Sequence, residues 1–330
     1  ANNNVAVGYI ALNANTTGAG NTAVGAYALD ANTTTSYNTA IGYAALTDAT
    51  IGNNTAVGYN SQANTTTGQY NTAVGVTSML TNTTGLSNTA VGHNALTANT
   101  TGAQNTAVGG LNAGTYPVMY ANTTGSKNTA LGAAALAGNT TADGNVAIGY
   151  DAMYANTTGH SNVAFGAYAL DANTTTNHGT ALGYNALTAN TAASNTAVGS
   201  NAMLVNSTGA YNTAVGHQAL DANTTASGNT AIGYATLSSN TTGANNVAMG
   251  NSALGSNTTA ANNTALGYAA LTTAAGASAQ NTAVGMSALY TNNGGEYNTA
   301  LGYFSMKGAT TGNYNTAIGA STMVAANTGT

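Results

Sequence analysis

The tripeptides Asn-Thr-Thr and Asn-Ser-Thr recur along this chain, and they are the one pattern in it with a recognisable modification chemistry. Asn15, Asn32, Asn64, Asn82, Asn99, Asn122, Asn139, Asn156, Asn173, Asn206, Asn223, Asn240 and Asn257 satisfy the N-x-[ST] acceptor pattern for N-linked glycans. A chain this poor in charge needs another source of solubility, and a glycan row on one corner would supply it. The same residues, usually followed by Gly, also make a good turn, because Asn and Gly tolerate the left-handed conformations that turns require. Both readings stand at this point.

Other reactive groups are sparse. Nine residues of 330 are charged: Lys127, Lys307, Asp30, Asp48, Asp143, Asp151, Asp171, Asp221 and Glu296, for a net charge of -5. Asp30, Asp171 and Asp221 fall at equivalent points of a repeat but lie several repeats apart, so they make no carboxylate pair of the kind glycosidases use. His93, His160, His178 and His217 are scattered along the chain, without the convergence that metal ligation needs. The expectation is a protein that is not an enzyme, with no metal and no cofactor. Two lysines without an arginine cannot neutralise a phosphate backbone, which excludes nucleic acid as a partner. No apolar run reaches membrane-spanning length, so no membrane insertion is expected. The absence of cysteine removes disulfides and thiolate sites.

What positions these residues is a tandem repeat. The segment NTAVGHNALTANTTGAQ, residues 88–104, returns with small variations as nineteen copies of N-[TV]-A-[apolar]-G, one of which opens with Gly179 in place of Asn. Most copies start 17 residues apart, with single-residue slips and one interval of 23. That period is too short for helical-pair repeats and suits the coils of a β-solenoid. The fold expected is all-β, a parallel β-solenoid (β-roll) of about nineteen coils forming one domain over 1–330. Coils stacked about 4.8 Å apart would build a rod roughly 90 Å long.

We number the places of the consensus N-T-A-V-G-Y-x-A-L-x-A-N-T-T-G-x-x from 1 to 17. Place 3 is Ala and place 5 is Gly in all nineteen copies, whereas place 4 varies among Val, Ile, Leu, Met and Phe. Strict alanine marks a site where one more methyl collides, and interchangeable aliphatics mark a site that can be repacked. Gly at place 5 fits a corner with positive φ or a close backbone approach. Side chains alternate along an extended segment, so Thr89 and Val91 share one face and Asn88 and Ala90 the other. Two arrangements follow. Either the Val91 and Leu96 rows fill the core, with a second strand over 95–98, or the alanine row lies inside a flat roll and the valine row faces outward. In the second case the outward row is a contiguous apolar stripe that has to meet another chain. Place 6 carries Tyr in eight coils, a candidate stacking row.

The seventh copy, residues 105–127, holds six extra residues and the only proline. An insertion must leave a solenoid as a corner loop, and this one, near 110–121, carries Tyr116, Pro117, Met119 and Tyr120 as a candidate contact loop. Neither end of the repeat array shows an atypical capping element, from which either end-to-end filament assembly or excision from a longer repeat chain is expected.

The cores NTAVG and NVAIG, as at Asn21 and Asn145, followed by Ala-Leu or Ala-Met, resemble the head repeats of YadA-like trimeric autotransporter adhesins and bacterial haemagglutinin-type (Hep_Hag) repeats. The resemblance runs over almost the whole chain, although these coils are longer than typical for those heads. It implies a left-handed parallel β-roll, side-by-side trimers, and adhesion at a bacterial surface. The reading reached is an extracellular structural fibre or surface adhesin that self-associates as a filament or trimer, with glycans or cell-surface ligands as further partners. Three alternatives stand beside it: an ice-binding Thr-rich solenoid, a phage tail-fibre shaft and a glycan-binding module. Ice binding favours T-x-T on a flat strand, whereas the threonines of NTT are adjacent.

Overall fold

The computed structural model describes residues 2–110, 116–274, 278–308 and 311–325. The chain is all-β, a parallel β-solenoid with a repeat of about 17 residues, and it divides into two compact units, 1–167 and 168–330. Each coil contributes one three-residue strand from places 2 to 4. Unit 1 holds ten of these, from Val5–Val7 to Val163–Phe165, and unit 2 holds nine, from Thr180–Leu182 to Thr316–Ile318. Neighbouring strands within a unit pair in parallel without slippage, so that Ala73 faces Ala90 and Val74 faces Val91. Coils of unequal length keep the same register: Val108 pairs with Leu131 across the insertion.

Side-chain parity settles the question left by the sequence. Ala90 and its equivalents at place 3 are buried in every coil after the first, where Ala6 is exposed, and Asn88 at place 1, Ala95 at place 8 and Leu96 at place 9 are buried too. The place 4 row faces outward: Ile41, Val74, Leu131, Phe165, Leu182, Met249 and Leu301 are exposed, Phe165 by 56%. A core of Val91 and Leu96 is therefore corrected to one of alanine, leucine and asparagine. The reason is packing. The place 3 alanines are fully buried in one cluster with the alanines of place 8 and the leucines of place 9, as Ala23, Ala28 and Leu29 are, while Asn at place 1 finds polar partners inside.

The second strand over 95–98 is also corrected, because those residues form a turn. Asn94 and Leu96 sit at φ 55° and 53°, and Gln104 at place 17 has φ 59°. This triplet of left-handed, non-glycine residues recurs along the array at places 7, 9 and 17, where each ordinarily costs about 1–3 kcal/mol. What offsets the strain is visible in the hydrogen bonds. Asn94 N donates to Val76 O at 3.0 Å, Leu96 N to Val118 O at 3.1 Å and Gln104 N to Leu86 O at 2.9 Å, so each such residue aims its N–H at a neighbouring coil. Short second strands form only at Thr273–Ala274 and Thr291–Asn292 among the described residues.

The glycine of place 5 is explained twice over. Gly92 has φ 134°, a region closed to L side chains, and a Cβ there would lie 2.0 Å from Gly109 O in the next coil. Residues 111–115 of the insertion and 326–330, on which part of the contact-loop and uncapped-end expectations fall, lie outside the described residues.

Candidate binding surfaces

The Asn-Thr-Thr row is an internal structure. Asn32, Asn82, Asn99, Asn122, Asn139, Asn156, Asn173, Asn206, Asn223, Asn240 and Asn257 are wholly buried at place 12. Asn99 Nδ2, the atom a glycan would take, donates to Asn82 Oδ1 at 2.7 Å and to Gly102 O at 2.9 Å. Asn88 Nδ2 reaches the same carbonyl at 2.8 Å, and Asn88 Oδ1 accepts Asn105 N at 2.9 Å. Two amide columns thus converge on one backbone oxygen per coil and lock each turn to the next. In these eleven coils the amide that the acceptor pattern offers to a glycan is buried and engaged in the folded chain. Asn15 is half-buried with its Nδ2 on Gly18 O at 3.1 Å, and Asn64, shifted one place by a local rearrangement of the turn, is exposed. The first Thr of the turn is engaged as well, Thr100 Oγ1 donating to Thr123 O at 3.1 Å.

Two surfaces remain. The first is the strand face, where the place 2 threonines and place 4 aliphatics stand in register within each unit. In unit 1, ten strands about 4.8 Å apart and an outward spacing of about 6.6 Å along each strand give a face of several hundred Å². It adjoins the place 6 row, in which Tyr9, Tyr43, Tyr59, Tyr184, Tyr234, Tyr268 and Tyr303 are exposed. Tyr43 and Tyr59 stack at 5.4 Å, and His217 stacks on Tyr234 at 5.5 Å.

The second surface is built around the insertion in unit 1. Place 10 carries Tyr120 in the seventh coil, Ala137 in the eighth and Tyr154 in the ninth, so a small residue separates two large rings. Tyr116 enters this gap, 6.0 Å from Tyr120 and 5.9 Å from Tyr154, its ring tilted 46° and 48° to theirs. Beside them lies an apolar notch of about 290 Å³ over Ala121, Ala137, Gly138 and Ala155. Of the predicted contact residues, Tyr116 and Tyr120 are exposed, whereas Pro117 and Met119 are buried, Met119 occupying the place 9 core position. Sequence reasoning missed Ala137, Gly138 and Tyr154. Their signal was a separation of one or two repeats from Tyr120, which stacking converts into adjacency.

Three carboxyls have pKa values raised above the ordinary carboxylate range. Burial raises that of Asp30, with Asp48 adding to it; burial raises that of Asp151, opposed by a hydrogen bond from Tyr150. Burial likewise raises that of Asp221, opposed by the N–H groups of Ala222 and Asp221 and by His217. None of these three lines the aromatic notch. Compared with protein-family models and with curated proteins, the chain matches none.

Proposed function

We propose that this is a structural repeat protein without catalytic chemistry, which self-associates through its outward strand face to build an extracellular fibre or surface adhesin. The observation that carries the reading is the outward place 4 row. An in-register row that turns an aliphatic or aromatic side chain outward in each coil, continuous with the place 6 tyrosines, is a contiguous apolar stripe of the size of the largest patches on soluble monomers, which are often functional. The interior supports a load-bearing role as well, because amide columns and alanine rows leave every coil tied to its neighbours by both backbone and side chains. The tyrosine cluster at Tyr116, Tyr120 and Tyr154 gives such a fibre a place for specific contact. Sedimentation velocity at micromolar concentration tests the reading. The wild-type chain sediments as an oligomer, and Ile41→Asp with Val74→Asp and Leu131→Asp shifts it to monomer while far-UV circular dichroism is kept. A wild-type chain that stays monomeric at tens of micromolar refutes self-association.

One observation favours a second reading, ice binding. The T-x-T expected of such a face is absent from the NTT turn, yet the strand presents Thr-x-Val outward, with Thr89 and Val91 as the pattern and no charged residue at either place. Thermal hysteresis in a monomeric preparation supports this reading against the first.

A further inference from the structure

Places 16 and 17 form an edge of unit 1 on which two of the nine charged residues of the chain, Lys127 and Asp143, stand close together. Place 16 holds Ser126, Asp143 and His160 in three successive coils, and place 17 holds Lys127, Gly144 and Ser161 beside them. The backbone fixes the two columns: Gly144 N donates to Ser126 O at 3.0 Å and Ser161 N to Asp143 O at 3.1 Å. One of the two lysines in 330 residues therefore stands next to one of six aspartates. A notch of about 640 Å³ opens between these side chains, with Thr141, Ala142 and Thr158 completing its walls.

Two features shape the notch. Gly144 lacks a side chain where Lys127 and Ser161 have one, and a Cβ on it would meet only Ser161 Oγ, at 3.9 Å, so the place 17 column has a gap one coil deep. Asp143 is oriented, because its Oδ1 accepts Ser126 N at 2.6 Å. Its second oxygen is left for a donor from outside. Ser161 Oγ lies 3.4 Å from His160 Nδ1, so a hydroxyl and an imidazole edge the gap together.

We infer that this notch binds a neutral pyranose through a vicinal diol, a site separate from both the strand face and the tyrosine cluster. Each hydroxyl of a diol donates one hydrogen bond and accepts others, which matches a carboxylate that only accepts set beside an ammonium that only donates. A carboxylated sugar would bring its charge against Asp143, and an amino sugar would bring its own against Lys127. The volume suits one or two sugar rings, and the few polar groups at the mouth fix orientation as in small-molecule sites. Because the notch is open to water, the affinity is low, and adhesion through it draws its strength from many copies in a fibre.

Saturation-transfer difference NMR, which tolerates large assemblies, tests this with methyl α-D-mannopyranoside, methyl β-D-galactopyranoside and methyl β-D-glucopyranoside. At least one gives saturable transfer, and Asp143→Asn and Lys127→Gln each weaken it at least fivefold. Gly144→Asn fills the gap without disturbing the fold, since Asn245 and Asn262 occupy place 17 at φ 57° and 59°, close to the 68° of Gly144, and it abolishes transfer. Tyr154→Ala and the triple strand-face variant leave binding intact, so failure here is distinguishable from failure of self-association. The inference is overturned if no sugar transfers saturably, if binding survives Gly144→Asn, or if it is lost with Tyr154→Ala. It is equally overturned if methyl β-D-glucuronide binds more tightly than all three neutral sugars.

Discussion

Gly216→Ala and Gly209→Ala separate two reasons for a glycine that distance alone would merge. A Cβ on Gly216 would lie 2.3 Å from Gly233 O, and one on Gly209 would lie 2.1 Å from Ala226 O, so both meet backbone of the next coil. The difference is conformational. Gly216 has φ 135°, whereas Gly209 lies outside the positive-φ region, and place 15 accepts Ala142, Ala226 and Ala260 in other coils. The chain itself shows that the neighbouring carbonyl yields at place 15. At place 5 the strained backbone adds about 1–3 kcal/mol. Relief of the clash also stretches the bonds that join the two coils: Thr213 N to Asn229 O at 2.8 Å, Gly233 N to Val215 O at 2.7 Å and Ala235 N to His217 O at 3.0 Å. At about 1 kcal/mol for each of these, Gly216→Ala costs roughly 4–6 kcal/mol, and Gly209→Ala costs about 1. Global melting does not localise a loss to one junction of a repeat array, where coils open locally. Hydrogen exchange over residues 213–236 reads the junction directly, and a loss of 3 kcal/mol accelerates it by about 100-fold or more. Similar exchange in the two variants, or unchanged protection in Gly216→Ala, refutes the assignment of the place 5 glycines to backbone conformation.

Three further outcomes follow from the interior and its few acids. Asn139→Asp replaces the Nδ2 that donates to Asn122 Oδ1 at 2.7 Å and Ala142 O at 3.2 Å with an oxygen facing two acceptors, at a wholly buried position. The cost is about 3–5 kcal/mol at pH 7, and it shrinks at pH 3, where a protonated carboxyl regains one donor; melting at the two pH values checks both parts. The raised pKa values of Asp30, Asp151 and Asp221 mean that the folded chain holds protons more tightly than the unfolded chain. Their stabilising effect is complete below the ordinary carboxylate pKa and is lost as pH rises through the raised folded values. The melting temperature accordingly falls between about pH 3 and pH 7, and Asp→Asn at all three positions flattens the profile. Material secreted from a glycosylating host has an intact mass no larger than the polypeptide plus glycans on Asn15, on Asn64, and on Asn53 and Asn262, which also match N-x-[ST] and are exposed; extra mass mapped to Asn99 or Asn139 contradicts the buried amide column.

Much of the solenoid was legible in the sequence because identical places stack, so the tolerance of each place reports its surroundings. Ala90 and Gly92 were read as sites of collision and close approach; Ala90 is buried, and Gly92 is pressed against the backbone of the next coil. The sign of the alternation was not legible. Parity groups Val91 with Thr89, but which pair faces inward depends on the distance to the opposite wall, and no single coil encodes that distance. The turn over 95–98 was missed for a related reason. Leu96 has an apolar side chain pointing inward as a strand residue would, and nothing in its chemistry announces φ 53°; the conformation is imposed by the bond from Leu96 N to Val118 O in the next coil. The NTT turn is the most ambiguous stretch, since the acceptor pattern for a glycan and the hydrogen-bonding needs of an amide column call for the same residues.

Convergence was hardest to see where it matters for function. Tyr120 and Tyr154 stand 34 residues apart, and Lys127 and His160 stand 33 apart, yet each pair is separated by a single coil. In a stack of identical coils the places that tie neighbours together, 1, 3, 5, 9 and 12, vary little, with exceptions such as Gly179, Gln62 and Thr65. Recognition must therefore be written at the outward places, and it becomes specific only where successive coils differ there. Coils seven to nine differ most: the insertion with Tyr116, the small pair Ala137–Gly138, and the Lys127, Asp143, Gly144 and His160 edge all fall within residues 105–161. Both notches owe their depth to a small residue in the eighth coil, Ala137 and Gly138 for one and Gly144 for the other. A coil that is short of side chains on two edges, flanked by coils that are not, is the physical means by which a uniform array acquires a binding site without giving up its ladders.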